Sequence, residues 1–196
     1  MRIRDEEKVS LVKQKAIEGI VEYGFEGFSM NKLAKACEIS VATLYIYFKG
    51  KDDLIISIAR EEGDRMAAVF IENFHPDLSF EEGMRIQWIN RYRYLQQNPI
   101  TYLFFEQLRT SSYQVRFLED FMVKFKVVIS AFMHNVVSRG EMNAMPLEVF
   151  WSIAYGPLYS LVRFDQEGQS IGGKPFKMSD EVLWQTFGLV IKALKN

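Results

Sequence analysis

The stretch SMNKLAKACEISVATLYIYF, residues 29–48, decides how this chain folds. Ser29 and Ser40 each stand before a short apolar-periodic run, where a hydroxyl accepts a hydrogen bond from the free amides of a helix N-terminus. Phe28 with Leu33, and Ile39 with Leu44, bracket those serines as hydrophobic staples. Cys37, Glu38 and Ile39 leave a link of about three residues between the two runs. Two capped helices, a tight turn and anchors at Leu33, Ala34, Ile39, Leu44 and Phe48 describe a helix-turn-helix. The second helix then carries Val41, Ala42, Thr43, Tyr45, Ile46 and Tyr47 beyond its anchors. That face either packs on a following helix or enters a DNA major groove, where small apolar groups meet thymine methyls and hydroxyls meet phosphates.

Working outward, Val9, Val12, Ala16, Ile20 and Tyr23 step by three or four and predict a first helix stopped at Gly24. After the quoted stretch, a helix is expected from Lys51 to Phe74, ended by His75-Pro76. Further helices are expected at Phe80–Gln97, Ile100–Arg109, Gln114–Arg139, Leu147–Asp165 and Asp180–Lys195. Asn98-Pro99, Ser111-Ser112, Gly140 with Pro146, and the glycine-rich loop Gln166–Lys177 separate them. No period-two strand is visible. The fold class is all-α: a three-helix module over 1–50, then a helical bundle over 51–196.

Composition narrows the function. A net charge of −1 excludes a general nucleic-acid coat, which needs a strongly basic surface, but leaves room for a local patch. The single cysteine, Cys37, permits no internal disulfide and fits a reducing compartment. Placed at the end of the first short helix, it reads as a small buried residue rather than a redox sensor. The longest uncharged apolar run, Val149 to Val162, is shorter than the ~20 residues a membrane span needs, so a soluble cytoplasmic protein without a membrane partner is expected. His75, His134 and Cys37 have no zinc spacing, so neither metal nor cofactor is expected. Carboxylate pairs such as Glu61-Glu62 and Glu119-Asp120 read as solvated faces, and no nucleophile elbow or phosphate loop is present; the chain does not read as an enzyme.

Gly24-Phe25-Glu26-Gly27-Phe28-Ser29-Met30, then Leu33-Ala34, the run from Ser40 to Phe48, and Lys51-Asp52-Asp53-Leu54 resemble the TetR family of regulators. The resemblance covers roughly residues 9 to 56. It implies that Ser29, Thr43, Tyr47 and Lys51 bind phosphates and that Val41, Ala42 and Tyr45 face bases, and Ser40 is expected with them among the DNA-binding residues. Lys51 also has a physical argument, because a lysine beside the free amides of a helix N-terminus makes a phosphate site. Arg2 and Arg4 read either as an arm reaching DNA or as a tail. Where the family usually carries glycine in the turn this chain has Glu38, so a left-handed backbone there costs about 1 kcal/mol.

The bundle offers Met66, Phe70, Trp88, Tyr92, Phe104, Phe105, Leu108, Met122, Phe125, Phe132, Trp151 and Tyr155 as large interior groups. Each reads as core or as lining; the resemblance implies that some enclose a cavity for a small apolar or amphipathic effector. Glu106 reads as an exposed residue or as a polar contact in that cavity. The last two expected helices are apolar on more than one face and must be covered twice, by the rest of the chain or by a partner. The resemblance implies a homodimer through them, with Leu158, Leu161, Leu183, Phe187, Val190, Ile191 and Leu194 at the interface. Gly156-Pro157 is expected to interrupt the first of the two. The expected function is a repressor on a pseudo-palindromic operator of double-stranded DNA, released by its effector. An activator or ligand-independent DNA binder of the same fold, and a helical carrier or enzyme, remain as alternatives.

Overall fold

The helical periodicity is realised throughout the computed structural model, which describes residues 2–196, with side chains for 6–118 and 127–196. Among the described residues the order is α1 (Arg2–Gly27), α2 (Met30–Ala36), α3 (Val41–Tyr47), α4 (Lys51–Phe70), α5 (Phe80–Gln97), α6 (Pro99–Arg109), α7 (Gln114–Ser138), α8 (Leu147–Ala154), α9 (Gly156–Glu167) and α10 (Asp180–Leu194). Beside these helices stand two isolated β-bridges, Met142 to Lys195 and Gln169 to Pro175. No helix among the described residues is long and apolar enough to cross a membrane.

Three boundaries differ from expectation, each for a local reason. Gly24 does adopt a left-handed φ of 70°, but α1 resumes beyond the kink and reaches Gly27. Arg2 and Arg4, read as either an arm or a tail, are part of α1, and those two side chains lie outside the described residues. Helix α4 ends at Phe70 rather than Phe74, and the turn that follows holds Asn73 at φ 57°. The interruption at Gly156-Pro157 appears as expected: Tyr155 separates α8 from α9.

The chain packs as two compact units, the first Met1–Arg65 with Asn98–Met122, the second Met66–Gln97 with Val123–Asn196. The first is therefore larger than the N-terminal 50 residues, because α6 returns to α1. Gln107 Nε2 donates to the Val21 carbonyl at 3.0 Å, and the Phe104 ring meets Phe25 edge-on at 6.1 Å. Val12, Ala16 and Ile20 form the buried stripe of α1, whereas Tyr23 is exposed beneath the Lys32 ammonium. An ion pair between Lys13 and Glu61 joins α1 to α4.

In the second unit Phe80, Met84, Trp88 and Leu95 form the buried stripe of α5. Trp88 packs against Phe187 of α10 at 5.4 Å, and Phe74 meets Phe132 of α7 at 4.9 Å. The loop between α9 and α10 is tethered by Asp165, which accepts from Gln96 Nε2 at 2.7 Å, from the Met178 amide at 2.8 Å and from Lys177 at 3.1 Å.

Candidate nucleic-acid interface

Both serine caps are made. Ser29 Oγ accepts from the Lys32 amide at 3.3 Å, and Ser40 Oγ accepts from the Thr43 amide at 3.1 Å. Ser40 also exchanges a 2.8 Å hydrogen bond with the Thr43 hydroxyl, which fixes that side chain at the start of α3. The link between α2 and α3 closes through Cys37 N to Leu33 O and Ile39 N to Ala34 O. Glu38 sits between them at φ 54°, the left-handed conformation its place in the turn predicted. Cys37 is buried, and burial pushes its thiol above the ordinary value, which suits a packing residue and not a reactive one.

Leu44 and Phe48 are buried beneath α3, and the opposite face is presented outward. Tyr45 is 54% exposed and Ile46 78%; Ala42 is exposed, and Val41, Thr43 and Tyr47 are half-buried. Two tyrosines, an isoleucine and a valine outside the core cost solubility unless that surface meets a partner. Charge supports a nucleic-acid partner. Between Lys32 and Lys51 the chain carries four lysines against one glutamate, although the whole molecule is near neutral. Lys35 and Lys49 are exposed cations here that the sequence reading did not single out.

Lys51 is placed differently from expectation. Its ammonium is half-buried and donates to the Phe25 carbonyl, closing the end of α1 onto the start of α4. Its neighbours are equally engaged: Asp53 accepts from the Lys49 amide at 2.9 Å, and Asp52 accepts from the Tyr113 hydroxyl at 2.6 Å. An ammonium carries three N–H donors, so the bond to that carbonyl does not by itself keep Lys51 from a phosphate.

The residues expected to line an effector cavity divide between the units. Phe104, Phe105 and Leu108 belong to the first, where the rings of Phe104 and Phe105 pack on each other and on Phe25 and Phe117. Met66, Phe70, Trp88, Tyr92, Trp151 and Tyr155 belong to the second. Met122 and Phe125 lie outside the residues whose side chains are described. Phe132 is buried against Phe74 in the second unit. Glu106, half-buried, pairs with Arg109 on its own helix.

Around Phe70 and Tyr155 stands a residue the sequence reading missed. Arg91 is 1% exposed, and its guanidinium lies 4.3 Å from the Phe70 ring, 4.1 Å from Tyr155 and 5.2 Å from Trp151. It donates to Tyr159 Oη at 2.8 Å and to Gln87 Oε1 at 3.2 Å. The signal was available: Arg91 occupies the same helical stripe as Met84, Trp88 and Leu95, three and four residues apart. A buried cation on an apolar stripe has to be accommodated by what surrounds it. Burial likewise raises the Tyr155 phenol above its ordinary range.

The residues expected at a dimer interface differ in their burial. Leu158, Leu183, Phe187, Val190, Ile191 and Leu194 are already covered within a single chain, and Leu161 alone is half-buried. Leu147, Val149 and Trp151 on α8, and Leu189 on α10 at 62%, are exposed apolar groups.

Residues 14–58 match the model of the bacterial regulatory proteins of the tetR family. An uncharacterised helix-turn-helix transcriptional regulator of Haemophilus influenzae is 36% identical over 76 residues, which are 39% of this chain and 41% of that protein. The chain thus matches less than half of that relative's length. Among solved structures, a TetR-family regulator of Marinobacter aquaeolei superposes with TM-score 0.81 at 23% identity, covering 100% of both chains. The transcriptional regulator FadR of Bacillus subtilis, solved in complex with stearoyl-CoA, superposes with TM-score 0.70 at 18% identity over 92% of this chain and 96% of its own. The helix-turn-helix with its outward α3 is the part of the chain that the family model matches, and the all-helical fold is that of the superposed regulators. Over that module the chain is similar to the TetR family, and over its whole length it shares the fold of TetR-family structures.

Proposed function

We propose that the protein is a homodimeric, cytoplasmic transcriptional repressor that binds a pseudo-palindromic operator and releases it when an amphipathic ligand occupies the helical body. The outward face of α3, with Tyr45 and Ile46 exposed on a doubly capped frame, is the observation that carries this reading. Val41, Ala42 and Tyr45 face base edges, while Thr43, Tyr47 and Lys51, with Ser29 at the head of α2, approach phosphates. Base contacts of this kind are few, so phosphate grip and DNA shape supply much of the selectivity. A two-fold dimer places its half-sites about one helical turn, ~34–36 Å, or a multiple apart.

For the ligand, the second unit supplies aromatic rings and one buried guanidinium, Arg91, between Phe70 and Tyr155. That chemistry complements an apolar tail with a polar or anionic head, the class to which the ligand of the Bacillus subtilis neighbour belongs. For the dimer, the outward face of α10 carries Trp184, Gly188 and Leu189. A methyl at Gly188 would meet nothing within 4 Å in its own chain. Glycine inside a helix costs about 1 kcal/mol relative to alanine, which favours a role in close approach by a second helix.

The test is a salt-dependent gel shift on duplex DNA from upstream of its own gene and on duplexes selected from a randomised pool. The wild-type chain is expected to retain a pseudo-palindromic site, and joint replacement of Tyr47 and Lys51 by Ala to abolish the shift while leaving the dimer intact. Failure to retain any duplex, or an unchanged shift in the double variant, overturns the reading. Addition of a long-chain fatty acid or acyl-CoA is expected to release the retained duplex.

A further inference from the structure

Helices α4 and α7 share one property: each begins in the first compact unit and continues into the second. Their N-termini are joined. Tyr113, the residue before α7, donates its hydroxyl to Oδ1 of Asp52, the second residue of α4, at 2.6 Å. The bond spans 61 residues of sequence, so it is a tertiary tie and not a local cap.

Both sides of the tie are held. On one side, Ser111 locks the link between α6 and α7: its hydroxyl donates to the Leu108 carbonyl at 2.7 Å and accepts from the Tyr113 amide at 3.2 Å. The Tyr113 ring lies 5.1 Å from Phe25, which in turn packs on Phe104 of α6. On the other side, Lys51 donates to the Phe25 carbonyl and Asp53 accepts from the Lys49 amide. The first turn of α4 is thus bound to the end of α1 and to the start of α7 through two adjacent side chains. That turn follows α3 after only the three residues Phe48, Lys49 and Gly50. Burial first, then the Asp52 hydrogen bond, holds the Tyr113 phenol well above the ordinary tyrosine range.

We infer that Tyr113 is a positioning residue for DNA binding: through Asp52 it sets the first turn of α4, and with it the seat of α3. This inference rests on the reading of the protein as a DNA binder. Tyr113 touches no base or phosphate in this role. A displacement of α7 relative to α4 breaks the tie at the end nearest the recognition helix.

The experiment uses the full-length protein and the duplex it retains from the randomised pool. Substitution Y113F keeps the ring against Phe25 and deletes only the donor. It is expected to weaken binding about fivefold, the size of one hydrogen bond to an exposed carboxylate. The slope of log affinity against log salt is expected to stay unchanged, because no phosphate contact is removed. In the D52A background the same Tyr-to-Phe change is expected to alter affinity less than twofold, since its partner is gone. Circular dichroism at the assay temperature verifies that all four proteins are folded. Equal binding by wild type and Y113F within twofold overturns the positioning role while leaving the DNA-binding reading intact. A fivefold loss that persists in the D52A background also overturns it, because the hydroxyl then acts without Asp52. If the wild type retains no duplex at all, both readings fall.

Discussion

Trp88 Nε1 donates to the carbonyl of Ala154 at 2.9 Å, and both groups are buried. Ala154 is the last residue of α8, immediately before the break at Tyr155, so the indole of α5 satisfies a carbonyl where regular helix stops. The same ring packs edge-on against Phe187. One side chain therefore ties α5 to the α8–α9 junction and to α10. Trp88→Phe is expected to destabilise the protein by about 2–4 kcal/mol, combining an orphaned buried carbonyl with the volume lost. Urea unfolding of the two proteins measures it; a loss below about 1 kcal/mol would show that the junction is held elsewhere.

Gly83 faces the same core from the other side of α5. A methyl built there would lie 2.5 Å from Phe132 Cζ and 3.2 Å from Phe74 Cε2. Neither ring is at the free end of a flexible chain, so the neighbours must shift together. Gly83→Ala is expected to cost about 1–3 kcal/mol despite the better helix propensity of alanine. Thermal unfolding followed at 222 nm reads the sign directly.

The Asp165 carboxylate supplies a pH dependence. Burial taken alone would raise its pKa, but the hydrogen bonds from Gln96, the Met178 amide and Lys177 outweigh it and hold the group below the usual aspartate value. A folded pKa below the unfolded one means that the contribution is complete above about pH 4–5 and disappears as the pH falls through the folded value. Asp165→Asn is expected to be less stable at pH 7 and to show a flatter acid limb in its stability profile. Parallel limbs for the two proteins would refute the assignment.

Much of the helix-turn-helix module was legible because its signals are local. Ser29 and Ser40 announce caps within three residues, and Leu33 and Leu44 mark buried faces by spacing; the left-handed backbone at Glu38 was implied by the resemblance, in which glycine usually stands in that turn. Gly156-Pro157 similarly declares a break on its own. What was not legible depends on partners distant in sequence. An apolar stripe such as Leu183, Phe187, Val190 and Ile191 states that it will be covered and does not state by which chain. Phe104 and Phe105 read as bundle interior, and only the return of α6 onto α1 assigns them to the unit that carries the helix-turn-helix. Lys51 could be placed at a helix start from sequence, but its bond to the Phe25 carbonyl crosses 26 residues.

Glu38 carries a removable strain. Its φ of 54° is a conformation that disfavours a side chain, and the residue is exposed with no role in the core. Glu38→Gly relieves about 1 kcal/mol of backbone strain and gives part of it back as unfolded-chain entropy. The expected net is a stabilisation of about 0.5 kcal/mol, with operator affinity unchanged within twofold. A destabilised variant would mean that the Glu38 side chain holds the turn.

Leu189 tests the assembly. It lies on α10 beside Gly188, on the face turned away from the buried stripe of Leu183, Phe187, Val190, Ile191 and Leu194. At 62% exposure it contributes little to the fold of its own chain, so a charge placed there should leave the protomer stable. Across a two-fold interface the same charge meets its own copy or an apolar neighbour, and burying it unpaired costs several kcal/mol. Leu189→Glu is therefore expected to convert the proposed dimer to a monomer in sedimentation velocity while the unfolding midpoint measured on the monomer stays near that of the wild-type chain. Operator affinity should fall by far more than any single α3 substitution produces, because one recognition helix then binds without its twin. A Leu189→Glu protein that sediments as a dimer would remove α10 from the interface, and with it the proposed role of Gly188.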